Sequence, residues 1–287
     1  MGGCPRRALS AILACVSRIP PMRFARARPR IAPHTLRGRA FRAADWRYAA
    51  GMCNLYSMTS NADAIRALTG AMLDTTGNLP PLPGIFPDYA APIVRNTEEG
   101  RELALVRWGM PSSSQALFKA ATSRADKLRA KGKDVDFPAL LKAEPDSGTT
   151  NIRNTASRHW ARWLGVEHRC VVPFTSFSEF NRDAGGDIWF ALSAERPLAV
   201  FAGIWVPQWT SVRKIRTGQE TIDLFGFLTC EPNGIVAPIH PKAMPVILTT
   251  QDEVDMWLDA PADIALALQP LPDDALKIVA RGSKQDS

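Results

Sequence analysis

The sequence predicts an α+β fold: a mostly antiparallel, barrel-like β core with flanking helices in a single domain. Three observations predict it. Four runs rich in Val, Ile, Phe and Trp, at 170–180, 188–192, 198–206 and 222–230, follow one another with Gly, Pro and Asn between them, a pattern that favours antiparallel pairing. Helical spacing lies mainly outside that block. Internal repeats and the strand–helix alternation of a doubly wound sheet are both missing from the pattern.

The elements follow in order. Residues 61–73 place Ile65, Leu68 and Met72 at helical spacing behind Ser60 and Asn61, two residues suited to cap a helix. Four prolines, at 80, 81, 83 and 87, make 77–87 an irregular connection, and 91–94 and 102–108 read as short strands. Residues 115–130 read as a helix. Its basic run, Lys119, Arg124, Lys127 and Arg129, continues to Lys131 and Lys133 with Asp126 between, and suits either a solvated face or a surface that tracks phosphates. After a turn-rich break at 145–150, helical character resumes over 155–164 with Trp160 and Trp163. Beyond the four strands, Thr250-Gln251-Asp252-Glu253 forms a capping box that opens the helix containing Met256 and Trp257.

The chain has 287 residues and a net charge of +7, but the charge is unevenly spread. Residues 1–51 hold eleven arginines and one acid, Asp45, so they carry +10 and the remainder carries −3. A basic field over the folded body is therefore excluded, and affinity for nucleic acid must come from a local patch. The first 51 residues show no sustained period and are set apart from the fold as an Arg-rich leader. They read as a transit-type peptide, as a secretory signal, or as sequence upstream of the true start, and the last reading is preferred. The longest apolar run, 198–206, has nine residues, while a helical membrane crossing takes roughly twenty.

Five cysteines, at 4, 15, 53, 170 and 230, include no CxxC pair, and His159, His168 and His240 show no metal-ligand spacing. Neither a metal nor a cofactor is expected. Three cysteines in the body is an odd number, which fits a reducing compartment, and hence the cytoplasm, better than a disulfide framework. Cys170 and Cys230 sit in strand-like runs and read as inert core residues.

Patterned sequence begins at Met52-Cys53-Asn54. If Met52 is the initiator and is removed, Cys53 carries a thiol and a free α-amine on neighbouring carbons. An α-amine has a pKa near 8 against about 10.4 for lysine, so at neutral pH it is far more often the free base. It can condense with an aldehyde, and the cysteine's own sulfur can then close a five-membered thiazolidine with the advantage of an intramolecular step. The alternative is that Cys53 is one more buried small apolar residue.

Four segments stand out in order: Met52-Cys53, Thr150-Asn151-Ile152-Arg153, the run 172–180 with Val172-Pro173 and Glu179, and His240-Pro241-Lys242-Ala243-Met244-Pro245. With Arg107-Trp108-Gly109-Met110-Pro111 and 201–205 they resemble, over roughly residues 52 to 250, the SOS-response-associated peptidase family of abasic-site processing proteins, and the catalytic domain is expected over 52–281. The resemblance implies that Cys53, as the mature N-terminus, bonds covalently to the ring-opened aldehyde of an abasic site in single-stranded DNA. Asn151 would position the cysteine and the sugar, Glu179 would donate and accept protons, and His240 would lie over the sugar oxygen. Arg153 would contact phosphate, Trp108 would stack on a base, and Lys119 and Arg124 would add basic contacts. Read without the family, Asn151 is first a turn residue and His240 a surface loop residue, while Glu179 is equally an outward strand residue and Trp108 equally core. The resemblance also implies a monomer that gathers on the nucleoid after damage. Two functions of other classes remain open: an amidohydrolase or peptidase with Cys53 as N-terminal nucleophile, and a non-covalent single-stranded DNA-binding module. The chain departs from the family pattern at Asn54-Leu55, where Gly-Arg is usual, and in one extra residue before Met244-Pro245.

Overall fold

Backbone pairing sorts the strands into a closed ring and a second sheet. The computed structural model describes residues 53–266 and 270–286, so the expectation for residues 1–51 lies outside the described residues. The first part holds β1 (Leu55–Met58), α1 (Ala62–Thr69), β2 (Leu73–Asp74), β3 (Leu82–Ile85), β4 (Ala90–Thr97) and β5 (Gly100–Trp108). Then come α2 (Ser114–Arg129), α3 (Phe137–Lys142), β6 (Asn151–Ile152) and α4 (Arg158–Ala161). The main β block is β7 (Arg169–Phe174), β8 (Ser176–Asn181), β9 (Gly186–Ala191), β10 (Ala199–Lys214) and β11 (Gly218–Cys230). It is followed by β12 (Met244–Pro245), β13 (Ile247–Leu248), α5 (Gln251–Asp259), α6 (Ala262–Ala265) and β14 (Lys277–Arg281).

The ring closes because β4 pairs with β5 and β7, β7 with β10, β10 with β11, and β11 returns to β5. Four of these five contacts are antiparallel, and only β11–β5 is parallel. The α+β barrel expected from the sequence is thus present, and closure leaves these five strands without a free edge. Trp108, Phe174, Phe201, Phe225 and Phe227 are fully buried, and each such side chain contributes roughly 2–3 kcal/mol by leaving water. Tyr56 packs edge-on against Trp108, Phe201 and Phe227, which fastens β1 to this core.

The second sheet runs β14-β9-β8-β1-β3. The sequence reads 170–180 as one strand, but the chain changes sheets at Thr175. That residue leaves both ladders: its N–H donates to Ser57 O at 2.8 Å. The switch lays β8 against β1 with Leu55 opposite Ser178 and Ser57 opposite Ser176. A residue two positions from the start of β1 and a residue on β8 are thereby brought together, although 126 positions separate Cys53 from Glu179.

Three local expectations change. The segment 77–87 contains the edge strand β3, where Pro83 is tolerated because one side of an edge needs no donor. The helix expected over 61–73 stops at Thr69, because Gly70 turns left-handed (φ +68°) and closes its N–H onto Arg66 O. Met72 is left exposed. Helical character over 155–164 contracts to α4, and the capping box of Thr250 and Glu253 forms as read. The packed body also continues past β14. Asp286 is buried, accepts two 2.7 Å bonds from Arg196 and one of 2.6 Å from Ser176, and takes Ser57 Oγ on its backbone oxygen at 2.7 Å. No helix among the described residues is long and apolar enough to cross a membrane.

Candidate active site around Cys53

Cys53 is 1% exposed, and its backbone is held at both ends. The Glu179 carboxylate accepts a hydrogen bond from the Cys53 nitrogen, and Asn151 Nδ2 donates to the Cys53 carbonyl at 2.8 Å. The thiol lies 3.6 Å from Leu55 O. Burial, with the Glu179 charge second, pushes the thiol well above its ordinary pKa, against the opposing hydrogen bonds of the Leu55 and Ser178 backbone. The sulfur is therefore a neutral thiol at pH 7.

Glu179 is brought to this place by β8, which alternates so that Tyr56 of β1 faces Phe177 across the ladder. It is 1% exposed. Burial raises its pKa well above the carboxylate range; the Cys53 N–H pulls it back, and the charge of Asp187 raises it again. Such a carboxyl can hold a proton near neutral pH and release it within a reaction.

Asn151 sits on β6, which pairs in parallel with the end of β11 so that Asn151 lies opposite Phe227. On the other edge of the same strand end, Thr229 and Cys230 pair with Pro245 and Met244. The loop before Met244 carries His240, which is buried with Nδ1 2.8 Å from Ala243 O. A carbonyl only accepts, so Nδ1 carries the hydrogen and a neutral ring leaves Nε2 as a bare acceptor. Among the described residues, three of the buried polar atoms without a partner are Glu179 Oε1, Asn151 Oδ1 and His240 Nε2. Buried polar groups are nearly always satisfied, so each of these three atoms is open to an incoming hydrogen-bond partner. Cys53, Glu179 and Asn151 are joined directly. His240 belongs to the same strand end without a hydrogen bond to Cys53 among the described residues.

The approach of Asn151 depends on two glycines. Gly109 (φ +134°) and Gly148 (φ +81°) lie against each other, and a Cβ on Gly148 would stand 2.8 Å from Gly109 Cα and O. The contact is braced by Met110 and Thr149, which exchange backbone bonds of 3.0 and 2.7 Å, and by Asp146, which accepts from Ser112 and Gly148. We expect Gly148→Ala to lose about 1–3 kcal/mol, from the positive φ and the backbone clash together. Thermal unfolding measures it as a lowered Tm.

The proposed DNA contacts divide. Trp108 is corrected: it is fully buried, its ring stacks on Phe225 and Phe227 at 6.5 and 5.3 Å, and Nε1 donates to Thr150 O at 3.2 Å. Fully enclosed in this way, it serves the core under Asn151 and not a base. Arg153 is exposed beside the site and pairs with exposed Glu231, an arrangement that a phosphate can displace. On α2, Lys119 is exposed, whereas Arg124 is committed to the buried carboxylate of Glu144; neither hydrogen-bonds to the Cys53 cluster among the described residues. Cys170 is buried with its pKa raised, and burial lifts Cys230 to about 11, so both are unreactive at neutral pH.

The model of the family described as SOS response associated peptidase (SRAP) matches residues 52–281. The chain belongs to the SRAP family. That ties it to the response to DNA damage and to a family named for peptidase activity. Comparison with curated protein sequences gives no match. Among solved structures, a protein from Bordetella bronchiseptica is similar at 24% identity and a TM-score of 0.52, covering 78% of this chain and 97% of its own. A phage-related protein from the same organism (17%, TM-score 0.51, 78% and 92%) and a protein from Bacteroides thetaiotaomicron (20%, TM-score 0.50, 78% and 90%) share the fold.

Residues given no role in the sequence reading also stand around the candidate site. Asn54 and Thr150 are joined by a 3.0 Å hydrogen bond, and Asp187, whose charge acts on Glu179, accepts a hydrogen bond from Ser178 Oγ at 3.1 Å and stands 2.6 Å from the Lys284 ammonium as an ion pair. No local signal announces them, because each acts through a partner distant in the chain.

Proposed function

We propose that this SRAP protein, once the residues up to Met52 are removed, forms a covalent thiazolidine crosslink through Cys53 with the aldehyde of an abasic site in single-stranded DNA. The observation that carries the reading is the hold on Cys53: a buried carboxylate on its nitrogen and a buried amide on its carbonyl. The free α-amine adds to the aldehyde, and the resulting carbinolamine loses water to give an imine. The thiol then adds across the C=N bond, its hydrogen passing to nitrogen, so the net product is thiazolidine plus one water. Glu179 is suited to protonate the departing hydroxyl and take a proton back, and Asn151 Oδ1 and His240 Nε2 to receive hydrogen bonds from the ring-opened sugar. Arg153 faces the strand as a phosphate contact.

Self-processing fits the same geometry. With residue 52 attached, the nitrogen bonded to Glu179 is the leaving group of the Met52–Cys53 peptide bond, so one carboxyl can serve both cleavage and crosslinking. We place the catalytic domain at 52–281 with residues 1–51 as a leader, acting as a monomer without a cofactor in the cytoplasm and on the damaged nucleoid.

The test is a denaturing gel of protein with a Cys53 amino terminus and an oligonucleotide carrying one abasic site. A shifted covalent band is expected, absent for Cys53→Ala. A Cys53→Ala protein that still gives the band, or a wild type that gives none, overturns the reading.

A further inference from the structure

We infer that Thr150, held by Asn54, is a positioning residue that fixes the Asn151 amide so that only its carbonyl oxygen is open to the bound sugar. This rests on the reading of Cys53 as the reacting residue. Hydrogen-bond supply sets the orientation of the amide. Asn151 Nδ2 has two hydrogens, and both are used: one goes to the Cys53 carbonyl at 2.8 Å and the other to Thr150 Oγ1 at 2.9 Å. The single Thr150 hydroxyl hydrogen goes to Asn54 Oδ1 at 3.0 Å, so the hydroxyl presents a lone pair to Asn151.

Turning the amide over would aim Oδ1 at two acceptors and lose both bonds. The orientation is therefore set, and Oδ1 is buried with no partner among the described residues. It can only accept. The group it suits is a hydroxyl of the ring-opened sugar or of the carbinolamine, whose hydrogen it would take while the amine attacks. Asn54 and Thr150 lie 96 positions apart, so their bond also fastens the segment after Cys53 to the loop that delivers Asn151. Thr150 touches none of the reacting atoms; it acts through Asn151.

The test uses Thr150→Val, which keeps the β-branched shape and removes the hydroxyl, beside Thr150→Ser, which restores it. Both are made in the full chain and assayed in the Cys53-terminal form. Losing one orienting hydrogen bond is expected to slow crosslinking about tenfold for Thr150→Val, with Thr150→Ser within about twofold of wild type. Affinity for undamaged single-stranded DNA should be unchanged in both, while Tm should be unchanged in Thr150→Ser and lower by only a few degrees in Thr150→Val. Exchange of the Asn151 side-chain amide hydrogens, read by NMR, should be faster in Thr150→Val alone. A Thr150→Val rate equal to wild type, or a Thr150→Ser rate as slow as Thr150→Val, overturns the inference. If wild-type protein forms no crosslink, the functional reading falls, while the amide exchange still decides what Thr150 does to Asn151.

Discussion

Protein in which residues 1–52 remain attached to Cys53 gives no thiazolidine crosslink with an abasic oligonucleotide, whereas the same chain cleaved ahead of Cys53 crosslinks. The expected difference is the whole signal. An amide nitrogen has its lone pair in the peptide π-system and does not add to an aldehyde, and burial and Glu179 keep the Cys53 sulfur a neutral thiol. A hemithioacetal formed by sulfur alone would revert on denaturation. Timed cleavage with parallel gels makes the check: crosslinking should grow in proportion to the fraction of chains that begin at Cys53. Crosslinking by chains whose Edman sequence begins upstream of Cys53 would falsify the role given to the α-amine.

Glu179→Gln is the second large effect. The substitution keeps the shape and a hydrogen-bond acceptor for the Cys53 nitrogen but cannot shuttle a proton, and general acid–base catalysis contributes about 10²- to 10⁴-fold. We expect the crosslinking rate to fall by about 10²-fold or more, with binding to undamaged DNA unchanged. Stability gives an independent reading of the same carboxyl. In the folded chain its pKa lies well above the carboxylate range, so the folded state holds a proton that the unfolded state has lost. Stability from this group is complete below the unfolded carboxyl pKa, near 4.3, and declines as pH rises towards the folded value. Glu179→Gln removes that decline. In the chain that retains residue 52, where no α-ammonium offsets the charge, it should raise Tm at pH 8 and leave Tm at pH 4 unchanged. A variant equally shifted at both pH values would mean that the carboxyl is not the source.

Much of the fold is legible in the chain because its signals are local. The capping box at Thr250, the Asn61 cap and the β runs of 188–192 and 222–230 each appear where side-chain chemistry dictates. What escapes is set by distant partners. Nothing within 170–180 announces that Thr175 leaves one sheet for another, since the cause is Ser57 O on a strand formed more than a hundred residues earlier. Trp108 shows the opposite limit. A tryptophan reads the same whether a base or two phenylalanines will cover it, and here Phe225 and Phe227 do. The candidate site follows the same division: Cys53, Asn151, Glu179 and His240 are visible as residue types in order, whereas the Asn54–Thr150 bond and the Asp187 charge exist only once strands pair.

In the proposed reaction, nitrogen and sulfur of one residue, Cys53, trap the sugar together. Mass spectrometry of the peptide released from the crosslink tests it most directly. The abasic sugar should be found on the N-terminal Cys53 peptide, formed without a reducing agent, with a mass equal to peptide plus sugar fragment less one water and no thiol left to alkylate. An adduct on a lysine side chain, or a Cys53 thiol still free to react with iodoacetamide, would contradict it.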